Sequence, residues 1–429
     1  MAGVTVDWHQ RVLAEVDALR DEAVADLVEL VRIPSVTGTD AEHDAQAWLA
    51  ARFARDGLEV DHWQVDLDAM LSSPACPGFE APRDELWGLV GRVPGRGGGA
   101  SLLLNGHVDV VPTGDLGTWQ HVDPFSGHLT GGEVLGRGAC DMKGGLVAAW
   151  WAVRALRAAG VPLLGDLHLA SVVSEEDGGL GTFAMLERGW RGDVCVVPEP
   201  TGLDVVPACA GALTFRIRVP GLAAHAARRT EGVSAVEKLW PVWWALVDLE
   251  RRRNAVVDPL VQRWPIAYPI SIGTVKAGSW ASTVPDVLVA EGRFGVALDE
   301  PLDEARAALE AAVDGACQAD PWLRDHPVGV EWWGGQFGPG RLPQGSDLVE
   351  RVQSAHVAVT DGARPEVWGA PYGTDLRLLV GLAGIPTVHY GPGDARLAHA
   401  PDEAVPLDEV ATAAAVLATL ALDVCVVGD

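Results

Sequence analysis

Apolar and polar positions up to residue 207 form two alternating kinds of pattern. Short, nearly continuous apolar runs predict buried strands, and longer runs with apolar residues on one or all faces of a helix predict helices. The strands are expected at residues 86–93, 101–104, 166–174 and 194–197, and the helices at 11–32, 42–56 and 144–159. This alternation predicts an α/β catalytic domain with a mainly parallel sheet flanked by helices.

The pattern changes near residue 208. A strand at 213–219, a helix at 232–253, strands at 270–275 and 287–297, and a helix at 302–319 follow in β-α-β-β-α order. We therefore predict a smaller, inserted α+β domain of ferredoxin-like type at residues 208–325. The α/β pattern returns afterwards with helices at 346–359 and 407–422, so the catalytic domain is expected to be discontinuous, at residues 1–207 and 326–429.

Composition argues against several classes of function. Lys and Arg number 32 and Asp and Glu number 59, so the net charge is −27 and nucleic acid and anionic membranes are poor partners. The six cysteines show no CxxC spacing, so we expect a reducing cytoplasm and neither a zinc ribbon nor a disulfide framework. The acidic N-terminal segment lacks signal-peptide features, and no apolar run is long enough to span a membrane.

Five histidine and acidic residues fall near the carboxyl ends of predicted strands or, for Asp141, between a glycine-rich turn and a helix. An α/β domain binds its ligands at such strand ends. Taken singly, each residue has a structural alternative: a polar pair, an N-cap of the following helix for Asp141, a solvated acidic turn, or a surface histidine. The five are His107 in NGHVD, Asp141 in GRGACDMKGG, Glu176 in SEED, Glu199 in VVPEPT and His399 in RLAHAPDE.

This set of two imidazoles and three carboxylates can hold two metal ions, each with one histidine, one glutamate and the shared Asp141. Such mixed ligands suit zinc, and cobalt or manganese could substitute. Asp109 lies two residues after His107 and could accept the proton of its second ring nitrogen. Of the adjacent Glu175 and Glu176, one can bind metal while the other acts as a base toward water. The sequence thus predicts a hydrolytic site with two metals.

Several longer strings resemble one known family. The sequence is similar to the dinuclear zinc amidohydrolases and exopeptidases that include acetylornithine deacetylase, succinyl-diaminopimelate desuccinylase, aminoacylase and carboxypeptidase G. The matching strings occur in the family's order and cover most of the chain: NGHVDVVP, WQHVDPFSGHLTGGEVLGRGACDMKGG, SEED, VVPEPT, GLAAHAARRTEGVSAVEKL and HAPDE. WGGQFGPGRLP, PYGTDLRLL and VHYGPGD look most like the acetylornithine deacetylase-like branch.

The resemblance implies roles for the residues of the catalytic domain. Glu175 would be the general base, Asp109 would orient His107, and the peptide bond between Asp141 and Met142 would be cis. Gly373 and Asp375 are expected to be structural or near the site. One zinc would be held by His107, Asp141 and Glu199, and the other by Asp141, Glu176 and His399.

For the inserted domain, the resemblance implies a lid that also forms a homodimer. His225 would stabilise the tetrahedral oxyanion, and in dimeric members it reaches the partner subunit's site. Arg293 in EGRFG would bind the substrate carboxylate. Thr283 in STVPD departs from the family, because many members carry an asparagine before this Val-Pro. We count Thr283 among the substrate-binding candidates. Because it replaces that asparagine, the substrate subgroup within the family stays open.

The leading hypothesis is hydrolysis of an amide bond in an N-acyl amino acid or a related small amide, as in the acetylornithine deacetylase-like branch. A dipeptidase or carboxypeptidase of the same fold would use the same metal chemistry and is the nearest alternative. A non-catalytic ligand-binding relative is an alternative of another class. The complete ligand set and Glu175 argue against this last reading.

Overall fold

The computed structural model describes residues 7–120, 123–362 and 364–426, and the strands among them form three sheets. The strands are β1 (Glu59–Gln64), β2 (Trp87–Val93), β3 (Leu102–His107), β4 (His128–Thr130), β5 (Glu133–Leu135), β6 (Leu167–Val172), β7 (Val194–Val197), β8 (Val205–Cys209), β9 (Gly211–Pro220), β10 (Ile270–Ala277), β11 (Val287–Val296), β12 (Gly329–Phe337), β13 (Gly340–Arg341), β14 (Val367–Ala370), β15 (Thr387–His389) and β16 (Ala404–Pro406).

The α-helices flank these sheets and include four short ones that the sequence patterns did not predict, at 67–71, 180–187, 321–325 and 376–381. They are α1 (Trp8–Ala18), α2 (Arg20–Val31), α3 (Ala41–Arg55), α4 (Leu67–Leu71), α5 (Gly144–Ala159), α6 (Leu180–Glu187), α7 (Ala235–Arg253), α8 (Leu302–Ala319), α9 (Pro321–Asp325), α10 (Leu348–Thr360), α11 (Leu376–Gly381) and α12 (Leu407–Cys425). No helix of the described residues is both long and apolar enough to cross a membrane.

The large sheet has a parallel centre and antiparallel edges. Its strand order is β1-β2-β6-β3-β7-β15-β8-β13, and β14 pairs with β8. Strand β3 runs parallel to β6 and β7, and β15 runs parallel to β7. These central strands read as continuous apolar runs because helices cover both faces of a parallel sheet. The predicted mainly parallel α/β sheet with flanking helices is therefore confirmed.

Helix α5 lies in the core of the large domain, and its N-terminus contacts the segment that follows β7. Its sequence GGLVAAWWAVRALRAA is apolar on nearly every face, and Trp150 and Trp151 are each 1% exposed. It packs against α1 and α12. At its N-terminus, a Cβ added to Gly145 would lie 1.8 Å from the carbonyl oxygen of Pro198. Only glycine permits this approach, which brings the start of α5 onto the segment that follows β7.

The smaller sheet has the order β10-β11-β9-β12 and forms its own apolar core with α7 and α8. Strand β12 pairs antiparallel with β9, so this unit extends to residue 337 and beyond the boundary at 325 that the patterns predict. The glycines at 334 and 335 explain the difference. They lie within a register shift between Trp332 and Gln336 and interrupt the alternation that would mark a strand.

Two local boundaries also differ from the sequence prediction. The helix predicted at 11–32 is broken at Leu19 into α1 and α2. Strand β3 continues to His107, which is therefore the last residue of a strand and does not lie in a loop. Parallel pairing explains the extension, because His107 is in register with Val172 at the end of β6.

Candidate active site

The predicted metal ligands meet at one edge of the large sheet. His107 ends β3, the glutamates at 175 and 176 follow β6, and Glu199 follows β7. Because these strands are parallel neighbours, their carboxyl ends lie side by side. Asp141 precedes α5, and His399 lies in the loop between β15 and β16. Residues far apart in sequence are thus assembled into one cluster.

Asp141 stands between the two histidines. Its Oδ1 lies 3.1 Å from Nε2 of His107, and its Oδ2 lies 3.6 Å from Nε2 of His399. Nε2 of His399 is also 3.0 Å from Oε2 of Glu176. Ligand atoms of His107, Asp141 and Glu176 lie within 4.8 Å of one another, as do those of His107, Glu175 and Glu199. Each oxygen of Asp141 thus faces a different histidine, as a bridging carboxylate requires.

The electrostatics of the cluster favour a bound cation. Burial raises the pKa of Glu199 well above its usual range, and the charge of Asp141 raises it further. Burial lowers the pKa of His107, but its hydrogen bond to Asp141 and the nearby carboxylates outweigh burial, so that pKa is raised. In the described part of the chain, no arginine or lysine forms an ion pair with these carboxylates. Buried carboxylates without such a partner, together with imidazoles, fit divalent metal ions such as zinc.

Asp109 connects the first histidine to the loop that carries the glutamates. Nδ1 of His107 lies 2.9 Å from the main-chain oxygen of Asp109 but 3.7 Å from its carboxylate, so the backbone, and not the carboxylate we expected, is the acceptor. The carboxylate accepts the backbone N–H groups of Glu175 at 3.2 Å and Glu176 at 3.3 Å, and the hydroxyl of Thr37 at 3.0 Å. Burial raises the pKa of Asp109 to about 6.

A buried ion pair supports the backbone of Asp141. Oε1 of Glu403 accepts the N–H groups of Cys140 and Asp141, both at 2.9 Å, and its Oε2 lies 2.7 Å from Nη1 of Arg137. Both side chains are about 2% exposed or less. The peptide bond between Asp141 and Met142 is cis, as the resemblance predicted. Glu403 and Arg137 lie in two of the matching strings, but no local sequence pattern indicates that residues so far apart form a pair.

The cluster opens into a cavity of about 260 Å³ to which both domains contribute. Arg293 reaches it from β11 and makes no ion pair in the described part of the chain; its guanidinium carbon lies 5.2 Å from the ring centroid of Phe337. Gly373 also lines the cavity, whereas Asp375 is buried behind it and accepts the hydroxyl of Thr182 at 2.6 Å. The lining residues are Asp141, Glu175, Glu176, Glu199, Pro200, Arg293, Phe337, Tyr372, Gly373, Thr374, Ala395, Ala398 and His399.

Two predicted residues of the smaller domain lie elsewhere in this protomer. His225 and Thr283 are both exposed and are joined by a single antiparallel β-bridge. Nδ1 of His225 accepts the backbone N–H of Ala227 at 3.1 Å. Thr283 lines a separate cavity between the start of α7 and Trp322. Neither residue is among those that line the metal cluster's cavity.

Comparison with known proteins places this architecture in a family. The family model for peptidase family M20/M25/M40 matches residues 103–423, about three quarters of the chain. The chain belongs to peptidase family M20/M25/M40. An M20 protein is a metal-dependent enzyme that hydrolyses amide bonds, and the recognised resemblance to dinuclear amidohydrolases is confirmed.

Curated M20 relatives match over most of their length. An N-formyl-4-amino-5-aminomethyl-2-methylpyrimidine deformylase from Halalkalibacterium halodurans is 28% identical over 439 residues, covering 97% of each chain. A succinyl-diaminopimelate desuccinylase from Stenotrophomonas maltophilia is 29% identical over 403 residues, covering 90% of this chain and 95% of the relative.

Solved structures share the fold at low sequence identity. A di-peptidase from Saccharomyces cerevisiae has a TM-score of 0.78 at 15% identity and covers 96% of this chain and 98% of its own. A dinuclear metal-binding M20 peptidase from Bacillus subtilis has a TM-score of 0.60 at 14% identity, covering 95% of this chain and 99% of its own. These likenesses establish the two-domain M20 fold and leave the substrate open.

Proposed function

We propose that this M20 enzyme removes an acyl group from the nitrogen of an N-acyl amino acid or a related small amide, using two metal ions. The observation that carries the proposal is one cluster of five side chains able to bind metal, four of which line a small cavity together with the buried Glu175 and with Arg293, which makes no ion pair among the described residues. A cavity of about 260 Å³ suits a small substrate. Within this class of substrates, we propose an acetylornithine deacetylase-like specificity.

The residues would divide the chemistry as follows. His107, Asp141 and Glu199 would hold one metal, and Asp141, Glu176 and His399 the other. Two divalent cations, with Zn²⁺ as the proposed metal and Co²⁺ or Mn²⁺ as substitutes, would supply Lewis-acid polarisation of the amide carbonyl and activation of water. Glu175 would take the proton of the attacking water and deliver it to the leaving nitrogen. Burial raises the pKa of Glu175, which makes this carboxylate a stronger base and a competent proton donor afterwards.

Arg293 would select substrates that carry a carboxylate. It lines the same cavity as the acidic cluster and has no ion-pair partner in the described residues, so its charge is available to a ligand. A guanidinium binds a carboxylate through two parallel hydrogen bonds, which also fixes the orientation of the amide at the metals. This contact supports an N-acyl amino acid as substrate over an amide without an acidic group.

Sequence relatives favour a deacylase over a dipeptidase. The deformylase and the desuccinylase, whose names describe removal of an acyl group, match this chain over 90% or more of its length. The di-peptidase is 15% identical and supports the fold alone. A dipeptidase or carboxypeptidase remains the second candidate, since the metal cluster serves both reactions.

His225 and Thr283 would act across a homodimer. Both are exposed on the smaller domain and are not among the residues that line the cavity of their own subunit, so their placement fits a contribution to the site of a second subunit. In that arrangement His225 would donate a hydrogen bond to the oxyanion, and Thr283 would contact the substrate. The smaller domain would then serve as both lid and dimerisation domain.

A substrate panel on metal-loaded protein tests the proposal. It would contain N-acetyl-ornithine, other N-acetyl, N-formyl and N-succinyl amino acids, their carboxamide analogues, and dipeptides, each with and without chelator. The expected result is chelator-sensitive release of the acyl group, with the carboxamide analogues cleaved poorly. Cleavage confined to dipeptides would reject the deacylase in favour of the second candidate. The Glu175→Gln variant provides the control for activity from contaminating enzymes.

A further inference from the structure

A short segment at residues 77–83, which we call the strap, connects the smaller sheet to the loop at 174–177 that carries both glutamates. It contains neither helix nor strand. On one side, Asp177 accepts the backbone N–H groups of Glu80 at 3.1 Å and Ala81 at 2.9 Å. On the other side, the hydroxyl of Thr214 on β9 donates to Oε1 of Glu80 at 2.6 Å. The N–H of Gln336 on β12 donates to the carbonyl of Pro77 at 3.2 Å.

Arg83 is the buried centre of this connection. Its side chain is 2% exposed and lies between two carboxylates, with Nη1 at 3.0 Å from Glu42 and Nη2 at 3.3 Å from Asp177. Both carboxylates hold Ser174: Glu42 accepts its backbone N–H at 3.2 Å, and Asp177 accepts its hydroxyl. Ser174 has a φ of +62°, which a residue other than glycine keeps only when its surroundings hold it. The next residue is Glu175.

The backbones of the strap, of the loop that carries the glutamates and of β12 also contact one another without intervening side chains. A Cβ added to Gly178 would lie 1.9 Å from the carbonyl oxygen of Gly78, and one added to Gly78 would lie 2.2 Å from that of Gly334. A Cβ added to Gly335 would lie 2.7 Å from the carbonyl oxygen of Asp177. A shift of the smaller sheet therefore cannot be absorbed by side-chain rotation and must reach the strap and the loop.

We propose that Arg83 is a positioning residue for the reaction and that the strap makes the placement of Glu175 and Glu176 depend on the smaller sheet. The role in catalysis rests on the proposed function, whereas the mechanical connection does not. Removing the guanidinium would leave Glu42 and Asp177 as neighbouring buried carboxyl groups without a cationic partner. Ser174 would then lose both of its supports, and Glu175 would leave the position from which it reaches water.

The test compares Arg83→Met with Arg154→Met, a matched control. Arg154 is also a buried arginine that pairs with carboxylates, at 2.9 Å from Asp26, but it lies on α5 and touches neither the strap nor the loop. For Arg83→Met we expect kcat to fall about tenfold or more with KM little changed. Amide hydrogen exchange at residues 174–176 of the metal-free protein should be faster. The Arg154→Met variant should unfold more easily, with kcat and loop exchange unchanged.

Thr214→Val tests whether the smaller sheet takes part. Its matched control is Thr274→Val, which removes a hydroxyl that donates to Glu291 at 3.2 Å on the same sheet, away from the strap. Like Arg83→Met, Thr214→Val should speed amide hydrogen exchange at residues 174–176. Thr274→Val should leave that exchange unchanged. Equal exchange in both threonine variants would overturn the connection to the sheet.

The role of Arg83 is overturned if Arg83→Met matches Arg154→Met in both kcat and loop exchange. If Arg83→Met does not fold, Arg83→Lys replaces it, because lysine keeps the charge but cannot reach both carboxylates with separate nitrogens. If the native protein cleaves no amide, the proposed function fails, while the exchange comparison on the metal-free protein still decides whether Arg83 holds the loop.

Discussion

Glu403→Gln probes how the chain holds the bridging Asp141 in place. Glutamine keeps the volume of Glu403, and its amide oxygen can still accept the N–H groups of Cys140 and Asp141 that Oε1 accepts at 2.9 Å. Its NH₂ group, however, would face Nη1 of Arg137, which lies 2.7 Å from Oε2. The substitution therefore sets two donors against each other and removes the counterion of a buried guanidinium.

The expected loss follows from that geometry. Breaking a buried ion pair by removing one partner costs about 3–5 kcal/mol, because the remaining charge stays buried without compensation. Glu403 and Arg137 are 1% and 2% exposed, so solvent screening gives no reason to reduce that range. The backbone N–H of Asp141 would also be held by an uncharged amide oxygen, which is a weaker acceptor than the carboxylate. We expect metal affinity to fall by about 10–100-fold, as it does when other outer partners of metal ligands are removed.

Urea unfolding of the metal-free protein measures the loss of stability, and competition with a zinc chelator measures the loss of metal affinity. The double variant Arg137→Met/Glu403→Gln is the control: without the buried cation, glutamine no longer faces a charged donor, so this protein should be more stable than Glu403→Gln alone. The reasoning is refuted if Glu403→Gln changes the free energy of unfolding by less than about 0.5 kcal/mol, which is the range of ordinary surface substitutions, and leaves zinc affinity unchanged.

Four further predictions concern the site itself. Glu175→Gln should retain both metals by elemental analysis and lose activity by about 10²–10⁴-fold; native turnover would remove Glu175 as the base. His225→Ala should bind metal normally and lose turnover, and mixing it with Glu175→Gln chains should restore activity in hybrid dimers; absence of restoration would contradict action across the dimer. Arg293→Ala should raise KM for N-acyl amino acids and leave their carboxamide analogues unaffected; an equal change for both would contradict carboxylate recognition. The charge of Glu176 raises the pKa of His399 to about 9 in the metal-free protein. The stabilisation that protonated His399 gives the folded protein should be complete below about pH 6.5, the usual histidine pKa, and be lost as the pH rises through about 9. If the free energy of unfolding changes with pH in the same way for His399→Ala and the native protein, this prediction is contradicted.

Much of the fold and the metal cluster was readable from local pattern. The central strands and α5 are marked by continuous apolar runs that a buried position requires, and the bounds of α5 agree with the structure at both ends. The clustering of the candidate ligands other than Asp141 could be predicted because parallel strands end at a common edge of the sheet. A histidine or carboxylate at or just after the end of each strand, such as His107 at the end of β3, is therefore brought near the others.

Other features depended on contacts between residues far apart in sequence. The pairing of Arg137 with Glu403, the use of the main-chain oxygen of Asp109 as acceptor for His107, and the strap have no local signature. The pairing of β12 with the smaller sheet has no clear local signature either, because Gly334 and Gly335 interrupt the alternation within that strand.

The sequence by itself determined which segments are buried strands and helices and which residue types could bind metal. Those properties depend on hydrophobic periodicity and side-chain chemistry, which are local. Only the tertiary structure decided that each oxygen of Asp141 faces a different histidine, that Arg293 lines the cavity, and that His225 does not. The arrangement around Asp141 depends on packing within the larger domain, and the positions of Arg293 and His225 depend on how the two domains pack against each other. The free energies of that packing are summed over many distant contacts, so no short stretch of sequence contains them.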